Sequence, residues 1–180
     1  MPSNIVVVGA GGFARETLDV IEAINSVGTT PSWRVLGVAD DHLSDVNLGR
    51  LRARGYAHIG GQSELLTTFR AAHYVVGIGS PAVRARVAEE YDLAGWHAAT
   101  LIHPGAAVGS ESTLGEGVVV CGGVQLSTNT RLGRHVHLNP GVIIGHDSVL
   151  DDFVSVNPGA VISGDVSIAC LLYTSDAADE

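Results

Sequence analysis

Residues 138–162 read LNPGVIIGHDSVLDDFVSVNPGAVI, and a branched aliphatic residue returns at every sixth position of this stretch. The pattern extends in both directions without a slip, through Ile102, Val108, Leu114, Val120, Leu126, Leu132, Leu138, Ile144, Leu150, Val156, Ile162 and Ile168. Neither an α-helix nor an ordinary strand has this period. A fixed short repeat is typical of a parallel β-helix, in which each hexapeptide supplies one short strand and one corner.

A longer period of eighteen residues lies over the short one. It is marked by the turn tripeptides at residues 103–105, 121–123, 139–141 and 157–159. Pro followed by Gly, as in Asn139-Pro140-Gly141, suits a tight type II turn. Three hexapeptides therefore make one coil, and the spacing predicts a three-sided β-helical prism over residues 101–169.

Residues 1–100 follow an alternation of strands and helices. An apolar run at residues 4–8 ends in the Gly-rich segment GAGGFAR (9–15) and a helical pattern. Two further strands are predicted at residues 33–39 and 73–78, and two further helices at residues 62–71 and 82–91. This order predicts a Rossmann-like α/β domain, the size of a single nucleotide-binding half.

The strand ends of this domain carry residues suited to a nucleotide. A Gly-rich turn lets the backbone approach a phosphate and points a helix N-terminus at its charge. Asp40 and Asp41 follow the second strand, where a carboxylate can hold ribose hydroxyls. The spacing Gly9-x-Gly11-x-x-Ala14 also fits a dinucleotide fingerprint, but no second half for the other nucleotide and no dehydrogenase catalytic domain follows. A mononucleotide fits better, and an NAD-binding protein is the alternative.

Composition limits the partners of the chain. It has 180 residues and a net charge of -9, which makes nucleic acid a poor ligand. We find no apolar run of membrane-spanning length and no signal peptide pattern, so we expect a soluble protein without membrane contact. The two cysteines cannot form a disulfide framework, which favours the cytoplasm.

Polar residues collect at the corners of the predicted prism, and Gly145-His146-Asp147 is the most suggestive corner. A His beside a carboxylate can act as a general base toward an amine or hydroxyl that attacks an acyl donor. The competing interpretation is that His146 is a solvated corner residue. The eighteen-residue spacing stacks His146 on Thr128 and Gly164.

Other polar residues of the prism have structural interpretations. His135 and His137 could join His146 in a metal site, but the spacing stacks His135 on Phe153 instead, and we expect no metal. Cys121 lies beside no base and is interpreted as a packed small residue. Asn139 stacks on Asn157 as a structural ladder, or donates a hydrogen bond to a substrate.

Five motifs in this order resemble the sialic acid O-acetyltransferase and UDP-4-amino-sugar N-acetyltransferase family. They are GAGG (9–12), DD (40–41), GIG (77–79) with Arg84, LIHP (101–104) and GHD (145–147) in a hexapeptide prism. The resemblance covers about residues 4–168 and implies a left-handed β-helix. It also implies transfer of an acetyl group from acetyl-CoA to an amino or hydroxyl group of a nucleotide sugar, for surface glycan biosynthesis, by a homotrimer.

The resemblance also assigns roles to individual residues. The UDP-sugar or sialic-acid-like substrate would be bound by Gly11, Gly12, Phe13, Asp40, Asp41, Gly79 and Arg84. The catalytic group would comprise His146 as base and Asp147 as its orienting carboxylate. For the transfer itself we expect a backbone NH or Asn139 to steady the oxyanion. Acetyl-CoA would lie along later coils, near Ser155 and Gly164.

The chain departs from the family pattern at three places. Phe13 stands where some members have His, and Ser155 stands where a second family His lies near the acetyl donor. Residues 170–180 are predicted to follow neither period and to form a non-native tail on a C-terminally truncated chain. Loss of the later coils leaves a further alternative, a catalytically silent prism that binds a nucleotide sugar.

Overall fold

The computed structural model describes residues 1–69 and 72–174, and the chain divides into two compact units. The first unit comprises Met1–Gly79 and Arg86–Ala99, and the second comprises Ser80–Ala85 and the chain from Thr100 onward. The predicted boundary after residue 100 thus differs from the observed division, because a short segment at residues 80–85 belongs to the second unit.

The first unit is built on a parallel sheet with strand order β2-β1-β3-β4. Its strands are β1 (Ser3–Val8), β2 (Trp33–Ala39), β3 (His73–Val76) and β4 (His97–Ala98). The helices are α1 (Gly12–Val27), α2 (Asp45–Ala53), α3 (Gln62–Thr68) and α4 (Pro81–Leu93), and α4 belongs to this unit from Arg86 on. The predicted Rossmann-like α/β fold is confirmed.

Two helices of this unit differ from their predictions. Helix α2 is absent from the predicted helices, because among its residues only Leu51 is buried and no apolar periodicity marks it. Its start is signalled by Ser44, whose side chain accepts a hydrogen bond from the Asn47 amide at 3.3 Å. Helix α3 ends at Thr68, and residues 70 and 71 of the predicted helix lie outside the described part of the chain.

The second unit is the predicted left-handed β-helix, made of three parallel sheets with strands two residues long. Their orders are β16-β13-β10-β7, β17-β14-β11-β8-β5 and β15-β12-β9-β6. The strands are β5 (Leu101–Ile102), β6 (Ala107–Val108), β7 (Thr113–Leu114), β8 (Val119–Val120), β9 (Gln125–Leu126), β10 (Arg131–Leu132), β11 (His137–Leu138), β12 (Ile143–Ile144), β13 (Val149–Leu150), β14 (Ser155–Val156), β15 (Val161–Ile162), β16 (Ser167–Ile168) and β17 (Tyr173–Thr174). Leu132 pairs with Leu150, which confirms the eighteen-residue coil.

Each edge of the prism turns through a residue with positive φ. The Pro-Gly edge uses Gly123, Gly141 and Gly159. The acidic edge uses Glu111, Asn129, Asp147 and Asp165. The aromatic edge uses Gly117, His135, Phe153 and Leu171. Residues other than Gly rarely adopt a positive φ. The hydrogen bonds between coils must therefore hold these turns in place.

The stacking of residues eighteen apart extends to side chains. The rings of His135 and Phe153 lie parallel, with centroids 5.2 Å apart and an interplanar angle of 3°. This is the stack that the spacing predicts, and it accounts for His135 without a metal. The predicted burial of Cys121 is also observed.

The prism continues past the point at which the repeat was expected to stop. Leu171 has a φ of 62° and takes its place in the aromatic edge, and β17 pairs with β14. Residues 170–174 thus continue the coil, since backbone pairing tolerates the change of side chains, and the non-native origin of residues 170–180 stays a prediction. Residues 175–180 of the predicted tail lie outside the described residues.

Arg84 and Ser155, for which ligand contacts are predicted, are both buried in the second unit. Arg84 Nε donates to the His135 carbonyl at 3.0 Å, and Nη2 donates to the Phe153 carbonyl at 2.7 Å and to Ser155 Oγ at 2.8 Å. Burial lowers the pKa of Arg84 to about 10. The guanidinium therefore links two coils of the aromatic edge, whereas contact of Arg84 with the substrate and of Ser155 with acetyl-CoA stays a prediction.

We expect Arg84→Ala to destabilise the second unit, because it removes a buried donor from three acceptors. Each buried acceptor that loses its donor costs about 1–3 kcal/mol, so the free energy of unfolding should fall by about 3 kcal/mol or more. Urea unfolding followed by circular dichroism measures the change. Arg86→Ala, an exposed position of the same helix, is the matched control. Equal unfolding midpoints for the two variants would contradict this role of Arg84.

Candidate active site

The carboxyl ends of β1 and β3 form a glycine-lined opening in the first unit. A Cβ atom added at Gly11, Gly12 or Gly79 would have none of the surrounding heavy atoms within 4 Å. Gly11 is also the N-cap of α1, a helix of 16 residues. Strand order reverses direction between β1 and β3, which is where ligands bind in open α/β sheets. An anionic group can thus approach the backbone and the N-terminus of α1 without steric hindrance.

Two glycines of this region are closely packed against neighbouring residues. Gly9 has a φ of 100°, and a Cβ there would lie 2.8 Å from Cγ1 of Ile78. A Cβ on Gly77 would lie 2.5 Å from the Cα of Ala14. The glycines at these two positions therefore serve close packing of the turn, whereas Gly11, Gly12 and Gly79 leave space open.

The two aspartates after β2 support the backbone. Asp40 Oδ2 accepts a hydrogen bond from the Ala10 amide and Oδ1 accepts one from the His42 amide, both at 2.7 Å. Asp41 Oδ1 accepts from the Gln62 amide at 2.8 Å, at the start of α3. Contact of these carboxylates with ribose or base stays a prediction, as does contact of the half-buried Phe13 with the sugar.

Arg15 is a member of this region that the sequence reasoning did not single out. Its Nη1 donates to the Ala10 carbonyl at 3.0 Å and to Asn47 Oδ1 at 2.8 Å. It also borders an open groove of about 440 Å³ between α1 and α2, lined by Gly12, Arg15, Glu16, Asp19, Arg50, Ala53 and Arg54. In the sequence, the position of Arg15 at the end of the GAGGFAR segment indicates that it belongs to this region, because a cation there can bond to carbonyls of the turn.

The acidic edge of the second unit carries the His-carboxylate pair. His146 Nδ1 lies 2.7 Å from Asp147 Oδ2, and the two side chains are 63% and 48% exposed. Asn129, one coil earlier, donates through Nδ2 to the other oxygen, Asp147 Oδ1. The hydrogen bonds from Asn129 and then from His146 hold the pKa of Asp147 below its usual value, so the carboxylate is ionised at neutral pH.

This geometry determines which ring nitrogen of His146 can accept a proton. An ionised carboxylate offers only acceptors, so Nδ1 carries the hydrogen in the contact with Asp147. In the neutral ring the lone pair is then on Nε2. An exposed imidazole in this tautomer can accept a proton from a bound amine or hydroxyl.

The His146 ring packs against Gly164, one coil later. A Cβ on Gly164 would lie 2.6 Å from His146 Nε2 and 2.8 Å from Cε1, so the ring lies directly over this glycine. The stacking of His146 on Gly164 follows the predicted spacing. The predicted contact of Gly164 with acetyl-CoA stays a prediction.

The structure does not bring Asn139 or Ser155 to His146 within one chain. Asn139 lies at the Pro-Gly edge, where its Nδ2 donates to the Val156 carbonyl at 2.7 Å. Ser155 lies on β14, in the sheet between the aromatic and Pro-Gly edges, which is the face opposite the acidic edge. An oxyanion role of Asn139 stays a prediction, and the observed bond shows its structural role.

No group of three His, Cys, Asp or Glu side chains in residues 1–69 and 72–174 is arranged to hold a metal ion. Within the same part of the chain, no helix has the length and apolar content needed to cross a bilayer.

We expect Gly164→Ala to displace the His146 ring while leaving the coil folded. The three atoms nearest to the added methyl group all belong to the His146 ring, a side chain that can rotate, and Gly164 has no positive φ. The ¹⁵N NMR signals of His146 should therefore shift while the unfolding midpoint changes little. Gly145→Ala is the contrasting variant, because its Cβ would lie 2.3 Å from the backbone nitrogen of Gly164 and should destabilise the coil. Unchanged His146 signals in Gly164→Ala would contradict this packing.

Comparison with known proteins identifies the parts of the chain. Residues 4–91 match the family model described as the PglD N-terminal domain. The UDP-N-acetylbacillosamine N-acetyltransferase of Bacillus subtilis (strain 168) is 29% identical over 117 residues, covering 65% of this chain and 50% of that protein. The GDP-perosamine N-acetyltransferase of Escherichia coli O157:H7 is 27% identical over 124 residues, covering 69% and 53%. The chain thus spans about half the length of these curated relatives.

A solved structure supports the fold of both units. The acetyltransferase domain of PglB from Neisseria gonorrhoeae FA1090, in complex with acetyl coenzyme A, aligns with a TM-score of 0.74 and 23% identity. The alignment covers 93% of this chain and 76% of that chain. These matches show that residues 4–91 have the PglD N-terminal domain and that the chain is similar in sequence to two nucleotide-sugar N-acetyltransferases.

Proposed function

We propose that this chain is the nucleotide-sugar-binding and catalytic part of an acetyltransferase that moves an acetyl group from acetyl-CoA to the amino group of a nucleotide-linked sugar. The observation that carries the proposal is the exposed His146 ring with Nδ1 held on the ionised Asp147. This arrangement leaves Nε2 as a directed proton acceptor. Acetyl transfer to an amine requires such an acceptor, because the attacking nitrogen becomes positively charged as it bonds to carbon.

The relatives favour an amine over a hydroxyl as acceptor. Both curated relatives are named N-acetyltransferases, one of a UDP-sugar and the other of a GDP-sugar. The PglB domain structure contains acetyl coenzyme A. We therefore assign acetyl-CoA as the donor and a UDP- or GDP-linked amino sugar as the acceptor, for use in glycan biosynthesis.

The first unit supports the nucleotide part of the proposal. The open space at Gly11, Gly12 and Gly79 suits a diphosphate at the N-terminus of α1, with Phe13 in the first turn of that helix. Asp40 and Asp41 would lie toward the ribose or base.

The proposed step is a direct transfer. The amine nitrogen attacks the thioester carbonyl carbon, and His146 Nε2 takes a proton from that nitrogen. The tetrahedral intermediate then breaks its carbon–sulfur bond, and the CoA sulfur leaves with the proton that His146 returns. Asp147 remains ionised and stabilises the imidazolium formed between the two steps.

We expect His146→Ala to lower turnover by about 10²–10⁴-fold, the usual contribution of a general base. CoA thiol release from acetyl-CoA, with UDP- and GDP-linked amino sugars as acceptors, measures the rate. Calorimetric titration should show unchanged affinity for the nucleotide sugar, because the base acts in the other unit. The control is His97→Ala, which removes an exposed histidine of the first unit. Equal rates for His146→Ala and parent would remove the base assignment, and preferential binding of NAD would favour the dinucleotide alternative.

We further propose that the protein is a homotrimer, assembled through the sheet that precedes the acidic edge. On this sheet Ile143 pairs with Val161 one coil later, and both aliphatic side chains point outward, 38% and 68% exposed. Adjacent exposed aliphatic residues on a regular surface favour a protein contact. His146 is the second residue after β12, so this contact would place each acidic edge next to a neighbouring prism.

Val161→Lys should shift the assembly toward monomer, since a charge buried in an apolar contact is costly. Light scattering after size-exclusion chromatography measures the mass. Ser167→Lys, at an exposed outward position of a different sheet, is the matched control and should leave the mass unchanged. A Val161→Lys protein with the parent's trimeric mass would contradict this interface.

The cysteines support a cytoplasmic location. Cys121 is buried and Cys170 is exposed, and neither is part of a disulfide. Cysteines outside disulfides are typical of a reducing compartment.

A further inference from the structure

The acidic edge contains one residue beyond His146 and Asp147 whose contacts bear on the reaction. Asn129 occupies the same corner as Asp147, one coil earlier, and the two residues have φ angles of 59° and 60°. The Asp147 amide donates to the Thr128 carbonyl at 3.2 Å, which holds the two corners in register. The side chains at positions 129 and 147 therefore leave the prism side by side.

Each oxygen of the Asp147 carboxylate has its own donor. Asn129 Nδ2 donates to Oδ1, and His146 Nδ1 donates to Oδ2 at 2.7 Å. Two donors on opposite oxygens fix the plane of a carboxylate, whereas one donor leaves it free to turn. Because Asp147 is 48% exposed, water competes for its oxygens wherever the protein supplies no donor.

The residue type at position 129 suits this task. Asn adopts the left-handed conformation more readily than most residues, and its amide offers two donor hydrogens. The other members of the acidic edge are Glu111, one coil before Asn129, and Asp165, one coil after Asp147. Asn129 is thus the one uncharged residue of this corner series, and it lies where a carboxylate would repel Asp147.

We infer that Asn129 is a positioning residue that holds the Asp147 carboxylate against His146 and so keeps the ring in the tautomer with its lone pair on Nε2. The inference rests on the proposed function, in which Nε2 of His146 takes the proton. Asn129 is thus a third member of the group formed by His146 and Asp147. It acts through Asp147 and touches no substrate.

The electrostatics of the pair agree with this geometry. The largest cause of the lowered pKa of Asp147 is the hydrogen bond from Asn129, ahead of the bond from His146. Loss of the amide should therefore raise the pKa of this carboxylate as well as loosen it. A carboxylate that turns away from the ring lets the hydrogen of neutral His146 move to Nε2, which then accepts no proton.

The test uses two substitutions at position 129 and one at a neighbouring corner. Asn129→Gly removes the amide but keeps a residue that tolerates positive φ, so the turn is retained. Asn129→Asp keeps the size of the side chain but replaces the donor with an acceptor. Glu111→Gly makes the same kind of truncation at the corner one coil earlier and is the matched control.

We expect Asn129→Gly to lower kcat about 10-fold with little change in KM for either substrate, as for other residues that orient a functional side chain. Asn129→Asp should lower kcat further, and Glu111→Gly should behave as the parent. Two-bond ¹H–¹⁵N NMR of the His146 ring should show the Nδ1–H tautomer in the parent and a larger share of the Nε2–H tautomer in both Asn129 variants.

The outcomes separate this inference from the proposed function. A parent-like kcat and His146 tautomer in Asn129→Gly, together with inactive His146→Ala, would overturn the role of Asn129 and leave the base assignment standing. Full turnover by His146→Ala would instead overturn the base assignment. The tautomer measurement needs no acetyl transfer, so an unchanged tautomer in both Asn129 variants overturns the inference whatever the rate of the parent.

Discussion

The hydrogen bonds between successive coils are the constraint on which the second unit depends. Each strand has two residues, so no strand is stable without the ones before and after it. The Val119 amide donates to the Val136 carbonyl at 3.0 Å, and the Val149 amide donates to the Val166 carbonyl at 2.9 Å. Pairing at this interval forces residues eighteen apart into equivalent positions. The inner positions must then be aliphatic, and the edges must accept positive φ.

The same constraint places side chains at the edges of the prism in fixed positions relative to one another. Because corner residues repeat in register, a side chain at one corner has a fixed neighbour in the next coil. His135 and Phe153 use this for a ring stack, whereas Asn129 and Asp147 use it for a hydrogen bond that reaches His146. The prism thus supplies a rigid frame for a proton acceptor that is itself well exposed. An exposed base on a rigid corner suits a large, solvent-borne acyl donor, since the ring can be reached without opening the fold.

The ligand proposed for the first unit makes a different demand, which is close approach of the main chain. Gly9 and Gly77 are needed for packing, and Gly11, Gly12 and Gly79 leave space. Asp40 then holds the turn through the Ala10 amide. The division of roles among these glycines explains why the segment is glycine-rich throughout although only part of it faces the opening.

The sequence by itself determined the prism, its coil length and the neighbours of His146, because period-six burial and period-eighteen stacking are repeated along the chain and need no distant contact to be recognised. The same spacing identifies Asn129 as the neighbour of Asp147, since it precedes Asp147 by one coil of eighteen residues. Only the tertiary structure decided that Arg84 and Ser155 are buried against each other, that Asp40 bonds to the Gly-rich turn and that residues 45–53 are helical. These features depend on contacts between segments far apart in the chain, where burial and a specific partner override the polar character that the residues show in the sequence.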